Sequence, residues 1–293
     1  MKSLFTFVGL VLIAMVAVAE GPKPLLALDG VTWTAAETDY IHALQRRGQI
    51  KIATNRSAID RGFHYNILKV FADLAQIDID IRLVSRRDYF YQADGDLERI
   101  KTDPIYAYVP TLIENVDLYL DGITVLPWRE KMFSIVKFVP TRQMLVTRKT
   151  DRPEQLSDLD GKVAAMVADT TISEHLARLA LINGLTFGYL YKQNFNQLDR
   201  MVARGLADFT VFNSDRAFTA LAHYPNLTIA FAISEPQVMG WAVHKEKRVL
   251  KSVLEKYLLY AQDSGILDRV WARSYGVSFS HYLNILTMGE TSH

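Results

Sequence analysis

The sequence predicts an α/β fold, and three observations carry that prediction. Short alternating runs such as QIKIATN (49–55) and DIDIRLV (78–84) recur along the chain. Amphipathic stretches of helical length separate them, the pattern of βαβ units on parallel sheets. No repeat with a period of about 20–50 residues points instead to a solenoid or propeller. The 293 residues are 49% hydrophobic and 22% charged, enough for a sizeable core in one large or two medium domains.

Taken in order, MKSLFTFVGLVLIAMVAVA (1–19) has Lys2, an apolar run and a small-residue Ala-Val-Ala site, which predicts a signal peptide cleaved after Ala19. Its removal takes away Lys2 alone and leaves 32 basic against 32 acidic residues, so nothing suggests nucleic acid or an anionic membrane as partner. There is no cysteine. Disulfides, thiol catalysis and a lipid-anchor thiol are thereby excluded, and the expected location is the periplasm. Residues 20–45 read as a leader: GPKPLLALDG is irregular, and AAETDYIHALQRRG is a short helix stopped by Gly48.

QIKIATN then reads as a strand. GFHYNILKVFADLAQI (62–77) places Ile67, Leu68, Phe71, Leu74 and Ala75 on one helical face. DIDIRLV is the next strand. Residues 85–113 hold five aromatic residues and two prolines, and are long for a connection, so they form either a functional loop or helices of their own. VDLYLDGITV (116–125) is a buried strand, and 136–149 contains another. Strand-helix pairs follow through ADFTVFN. QVMGWAVHK (237–245) is a strand, and KRVLKSVLEKYLLYAQDSGILDRVWARSYG is a pair of helices with a Ser-Gly break.

The search for reactive chemistry finds little. The seven histidines are scattered and none forms an H-E-x-x-H pair, so no metal is expected. No G-x-S-x-G elbow, phosphate-binding loop or dinucleotide fingerprint occurs, and no cofactor is expected. Sequence spacing pairs no carboxylates for acid–base work, so the sequence predicts no enzymatic activity.

One stretch stands out, DGITVLPWREK (121–131). Gly122 lets a ligand approach the backbone. Thr124 offers a hydroxyl, and Arg129 offers a planar fork suited to a carboxylate. Arg129 falls in the first turn of a predicted helix, where the dipole disfavours a cation unless an anion is bound. The other reading is a solvated Arg129 paired with Glu130 or a neighbour.

The order of elements, with DLYLDGITVLPWREK, VTRKTDRPEQLSDLDGKVAAMVADTT, ARGLADFTVFNSD and GILDRVWARSYG, resembles the family 3 periplasmic solute-binding proteins, receptors for polar amino acids. RGQIKIATNRS and GFHYNILKVFA resemble more nearly the binding-protein-like domain of membrane-bound lytic transglycosylases, without their peptidoglycan-cleaving domain. The resemblance implies a type II periplasmic-binding-protein fold. Lobe 1 takes residues 46–143 and 241–280, lobe 2 takes 149–236, and 281–293 is a tail. QMLVTRK and QVMGWAV are the implied crossings.

The resemblance also implies that Gly122, Thr124 and Arg129 hold a ligand carboxylate, assisted by Thr170 and Thr171, with Asp169 standing where the family has glycine. Asn213 takes the place of the acid that holds the ligand's amino group, and Asp215 follows two residues later. Asp117 and Asp208 match acids that are structural in the family. The implied function is a hinge-closing clamp for a small carboxylate-bearing solute serving an ABC permease. The alternative is an accessory or sensor protein contacting a membrane or periplasmic partner through the leader, 85–113 or the tail.

Overall fold

The structure is a computed structural model that describes residues 25–54, 62–84, 115–168, 170–192 and 195–287. The signal-peptide prediction, segment 85–113 and Asp169 lie outside the described residues, as does most of the first loop.

Among the described residues the strands sort into two five-stranded sheets, ordered β2-β1-β3-β10-β4 and β7-β6-β8-β5-β9. In lobe 1, β1 (Gln49–Thr54), β2 (Asp78–Leu83) and β3 (Leu118–Thr124) are parallel. β10 (Gln237–His244) runs antiparallel between β3 and β4 (Phe133–Thr141). In lobe 2, β6 (Val163–Val167), β7 (Gly188–Lys192) and β8 (Phe209–Asn213) are parallel. β5 (Gln143–Arg148) is antiparallel to both β8 and β9 (Leu227–Ala232).

Parallel neighbours need helical crossovers. Helix α2 (Phe63–Ala75) supplies one, burying Ile67, Leu68, Phe71 and Ala75 in the lobe 1 core. Leu74, predicted on that face, lies at its flank and is 39% exposed.

Helix α1 (Ala35–Arg47) is capped by Thr34 and Glu37 and ends on Gly48 at φ 76°. The leader proves to be part of lobe 1. Leu26, Leu28, Ile41 and Leu44 are buried in its core, because a helix with one apolar face must bury it. The cover is α7 (Arg248–Asp263), whose Lys256 and Ser252 bond the Glu37 carboxylate at 2.6 Å each. Helices α8 (Ile266–Tyr275) and α9 (Phe279–Thr287) follow, so the described part of the predicted tail, 281–287, is helical.

The chain passes between the sheets at Arg142 and again at 233–236, so QMLVTRK lies wholly in lobe 2 and QVMGWAV wholly in lobe 1. One serine pins each passage. Ser214 Oγ accepts from Arg142 N at 2.8 Å and donates to Arg142 O at 2.9 Å. Ser234 Oγ accepts from Gln143 N at 2.9 Å. Where β10 and β4 meet the backbones are so close that a β-carbon at Gly240 would stand 2.2 Å from Val136 O, and only glycine fits.

Candidate functional site

In open parallel sheets, ligands bind beyond the carboxyl ends of the strands. All six predicted site residues fall at such ends. Gly122 and Thr124 close β3, and Arg129 lies on α3 (Pro127–Met132), which follows it. Thr170 and Thr171 open α4 (Thr171–Asn183) just after β6. Asn213 ends β8 and stands at the N-cap position of α6 (Ser214–His223), the helix that follows α5 (Leu198–Ala203), without a side-chain cap bond.

Arg129 is only 9% exposed, which excludes the solvated reading. Its Nη1 donates to Thr124 O at 2.7 Å, orienting the guanidinium plane. Glu130 pairs with Lys137 instead, at 2.5 Å. The dipole argument for Arg129 weakens, because α3 has only six residues. A better account of Arg129 is the bond to Thr124 at the strand end.

Gly122 has a local cause. A β-carbon there would stand 2.6 Å from His64 Nε2 and 3.4 Å from Met239 Sδ. The room over this glycine is therefore shared by His64 and Met239. Thr170 acts as a helix cap: its hydroxyl accepts from Ser173 N at 3.0 Å and donates to Val167 O at 3.2 Å. Thr171 is half-buried at the first helical position. Asn213 Nδ2 lies 3.3 Å from Met239 Sδ. Met239, 2% exposed, thus stands between Gly122 of one lobe and Asn213 of the other.

Three residues at this place carry little or no signal in the sequence. His64 Nδ1 accepts from Trp241 Nε1 at 3.0 Å, which leaves the proton on Nε2, the nitrogen facing Gly122. Burial pushes the His64 pKa down to about 4, so the ring is neutral. Met239 reads from the sequence only as strand, since an apolar residue in a buried strand carries no further signal. Asp215 opens α6, and its Oδ2 accepts from Tyr275 Oη at 3.4 Å. Burial raises the Asp215 pKa against the opposing pull of Arg216, and raises that of Tyr275 further. Asp117 and Asp208 are structural: their carboxylates accept from Lys51 N and Val163 N, at 2.8 Å each. Among the described residues no His/Asp/Glu group could hold a metal ion.

The two sheets, their strand orders and the paired passages define a type II periplasmic-binding-protein fold. Solved structures of amino-acid-binding proteins share it. A mutant of ArgBP from T. maritima superposes with a TM-score of 0.59 at 20% identity, over 80% of this chain and 99% of that one. The amino acid ABC transporter substrate-binding protein AbpA from Streptococcus pneumoniae, bound to L-arginine, gives 0.59 at 16% identity, over 80% and 97%.

In sequence, the chain is similar to Membrane-bound lytic murein transglycosylase F of Ectopseudomonas mendocina. The identity is 24%, over 95% of this chain and 54% of that protein. The protein of that name from Desulfosudis oleivorans is 26% identical, over 84% and 53%. Both groups that the sequence resembles are thus represented. The chain spans about half the length of these curated relatives. No family model matches the chain.

These relatives correct one expectation. The sequence predicts no enzymatic activity, whereas its curated relatives bear the name of an enzyme. That expectation rests on sequence spacing, which cannot detect groups brought together by folding.

Proposed function

We propose that the chain is an exported two-lobed module that clamps a small carboxylate-bearing solute between its lobes. Arg129 forks the carboxylate, and Thr124 sets its plane. The single observation supporting this is a nearly buried guanidinium, aimed by a strand-end carbonyl, at the carboxyl end of the parallel strand β3. Thr170 and Thr171 assist from the start of α4. Asn213 touches Met239, so the amino-group half of an amino-acid site is weak, and ligands gripped mainly through a carboxylate fit better.

The output of binding goes to a membrane-associated partner or to cell-wall cleavage, since the curated relatives are named as membrane-bound murein transglycosylases. Carboxylate-bearing murein peptides are therefore the first ligands to try. A second reading, delivery to an ABC permease, draws support from the likeness in fold to AbpA, which is an ABC transporter substrate-binding protein.

Isothermal calorimetry and thermal shift against amino acids, simple carboxylates and murein peptides test the proposal. One class of ligand stabilises the protein, and Arg129→Ala weakens its binding by about 2 kcal/mol or more, the worth of a charge-assisted bidentate pair. If no ligand shifts the melting temperature, or if Arg129→Ala binds like the parent, the carboxylate clamp is wrong. Release of soluble fragments from purified murein reports cleavage directly.

A further inference from the structure

The two links between the sheets are short, and the bonds of Ser214 and Ser234 fix the passages locally. The carboxyl-terminal segment adds a contact that spans both lobes away from these bonds. Its footing is in lobe 1, where the Trp271 ring lies 4.7 Å from Phe63, 4.9 Å from Phe279 and 4.4 Å from Tyr282. From there it crosses the first link. Tyr282 Oη donates to Pro140 O at 2.6 Å, and Arg142 Nη1 donates to Leu286 O at 3.4 Å. It then touches lobe 2 at two places on α6. The Tyr282 ring meets Phe218 edge-on at 5.8 Å, and Tyr275 Oη reaches Asp215 Oδ2 at 3.4 Å. Phe279, Tyr282 and Leu286 are all buried, so this is a packed contact.

We propose that the segment 275–286 is a strap that ties α6 of lobe 2 to lobe 1 and limits how far the lobes open. The contacts on α6 lie at its first two turns, at the carboxyl end of β8, where the lobes face each other. Ser214, at the start of α6, is bonded to Arg142 of the first link, so a change of angle there turns α6 against Tyr275 and Tyr282 and strains both contacts. The strap thereby favours the angle seen here before any ligand adds its own contacts. This inference rests on the fold and not on the identity of a ligand.

The chain has no cysteine, so a labelled pair can be introduced without background. Asp80→Cys in lobe 1 and Ile182→Cys in lobe 2 are exposed sites for nitroxide labels. Pulsed electron resonance on the ligand-free protein reads the distance between lobes. The labelled parent gives a narrow distribution. Adding Phe218→Ala with Tyr275→Phe moves it to longer distances and broadens it. A chain ended after Gly276 does so more strongly. Circular dichroism checks that each variant is folded. Should the shortened chain fail to fold, the double variant, which leaves Tyr282 and the lobe 1 footing in place, decides the matter alone. A folded variant whose distribution superposes on the parent, or shifts to shorter distances, overturns the strap.

Discussion

His64 and Gly122 occupy one space from opposite sides. Gly122→Ala forces the imidazole aside and is expected to destabilise lobe 1 by about 1–3 kcal/mol, read from the urea midpoint. Combining it with His64→Ala should cost less than the sum of the two single changes, because the clash disappears with the ring. The same histidine gives a pH signature. Its folded pKa, about 4, lies below the usual 6.5, so between these values the unfolded chain binds a proton that the folded one refuses. Stability is complete above about pH 6.5 and falls as pH drops toward 4, by on the order of 2–3 kcal/mol. Urea titrations at stepped pH measure this, and the slope should shrink in His64→Asn. Arg129 is legible in the sequence because a cation after Gly-Ile-Thr-x-x-Pro is conspicuous. His64 and Met239 are not, since a buried histidine or methionine in an apolar run has no local mark. Only the fold shows that they meet Gly122.

Helix α1 is legible at both ends because its signals are local: Thr34 and Glu37 form a capping box, and Gly48 takes the left-handed turn. Its role is not legible, since the residues that hold it, Ser252 and Lys256, lie over two hundred positions away. Burial alone would raise the Glu37 pKa, but bonds from Lys256, Ser252 and Thr34 hold it at about 2. Its contribution is therefore present above about pH 4.5 and lost as pH falls toward 2, a window below that of His64. Glu37→Ala removes the cap and leaves Lys256 without this partner. It is expected to lower stability by about 1–3 kcal/mol, with loss of helical circular dichroism on heating ahead of the rest. Strand β9 escapes prediction for a different reason. LTIAFA is half-buried on both faces and has no alternation to read.

At the scale of the molecule, the alternation of strands and helices announces the sheets, whereas the points of passage between them follow from pairing alone. Residues 136–149 read as containing one strand, with QMLVTRK implied as a crossing, yet the chain turns at Arg142 and QMLVTRK pairs wholly in the second sheet. Arg142 holds that turn, with Nε donating to Ser234 O at 3.0 Å and Nη1 reaching Leu286 O. Arg142→Ala should uncouple the lobes. Calorimetry is expected to change from one unfolding transition to two, with the ratio of van't Hoff to calorimetric enthalpy dropping below one. A single unchanged transition would show that the lobes are coupled by other means.

The pairing of Ser214 with one passage and Ser234 with the other has a mechanical consequence. Two pinned passages define a line, and bodies joined along a line swing about it more readily than they twist. Both passages leave from one side of each sheet, by β4 and β10 in lobe 1 and by β5 and β9 in lobe 2. Strands β2 and β7 lie at the opposite margins. They are the far ends of two lever arms, so a small rotation at Arg142 becomes its largest displacement at those outer strands.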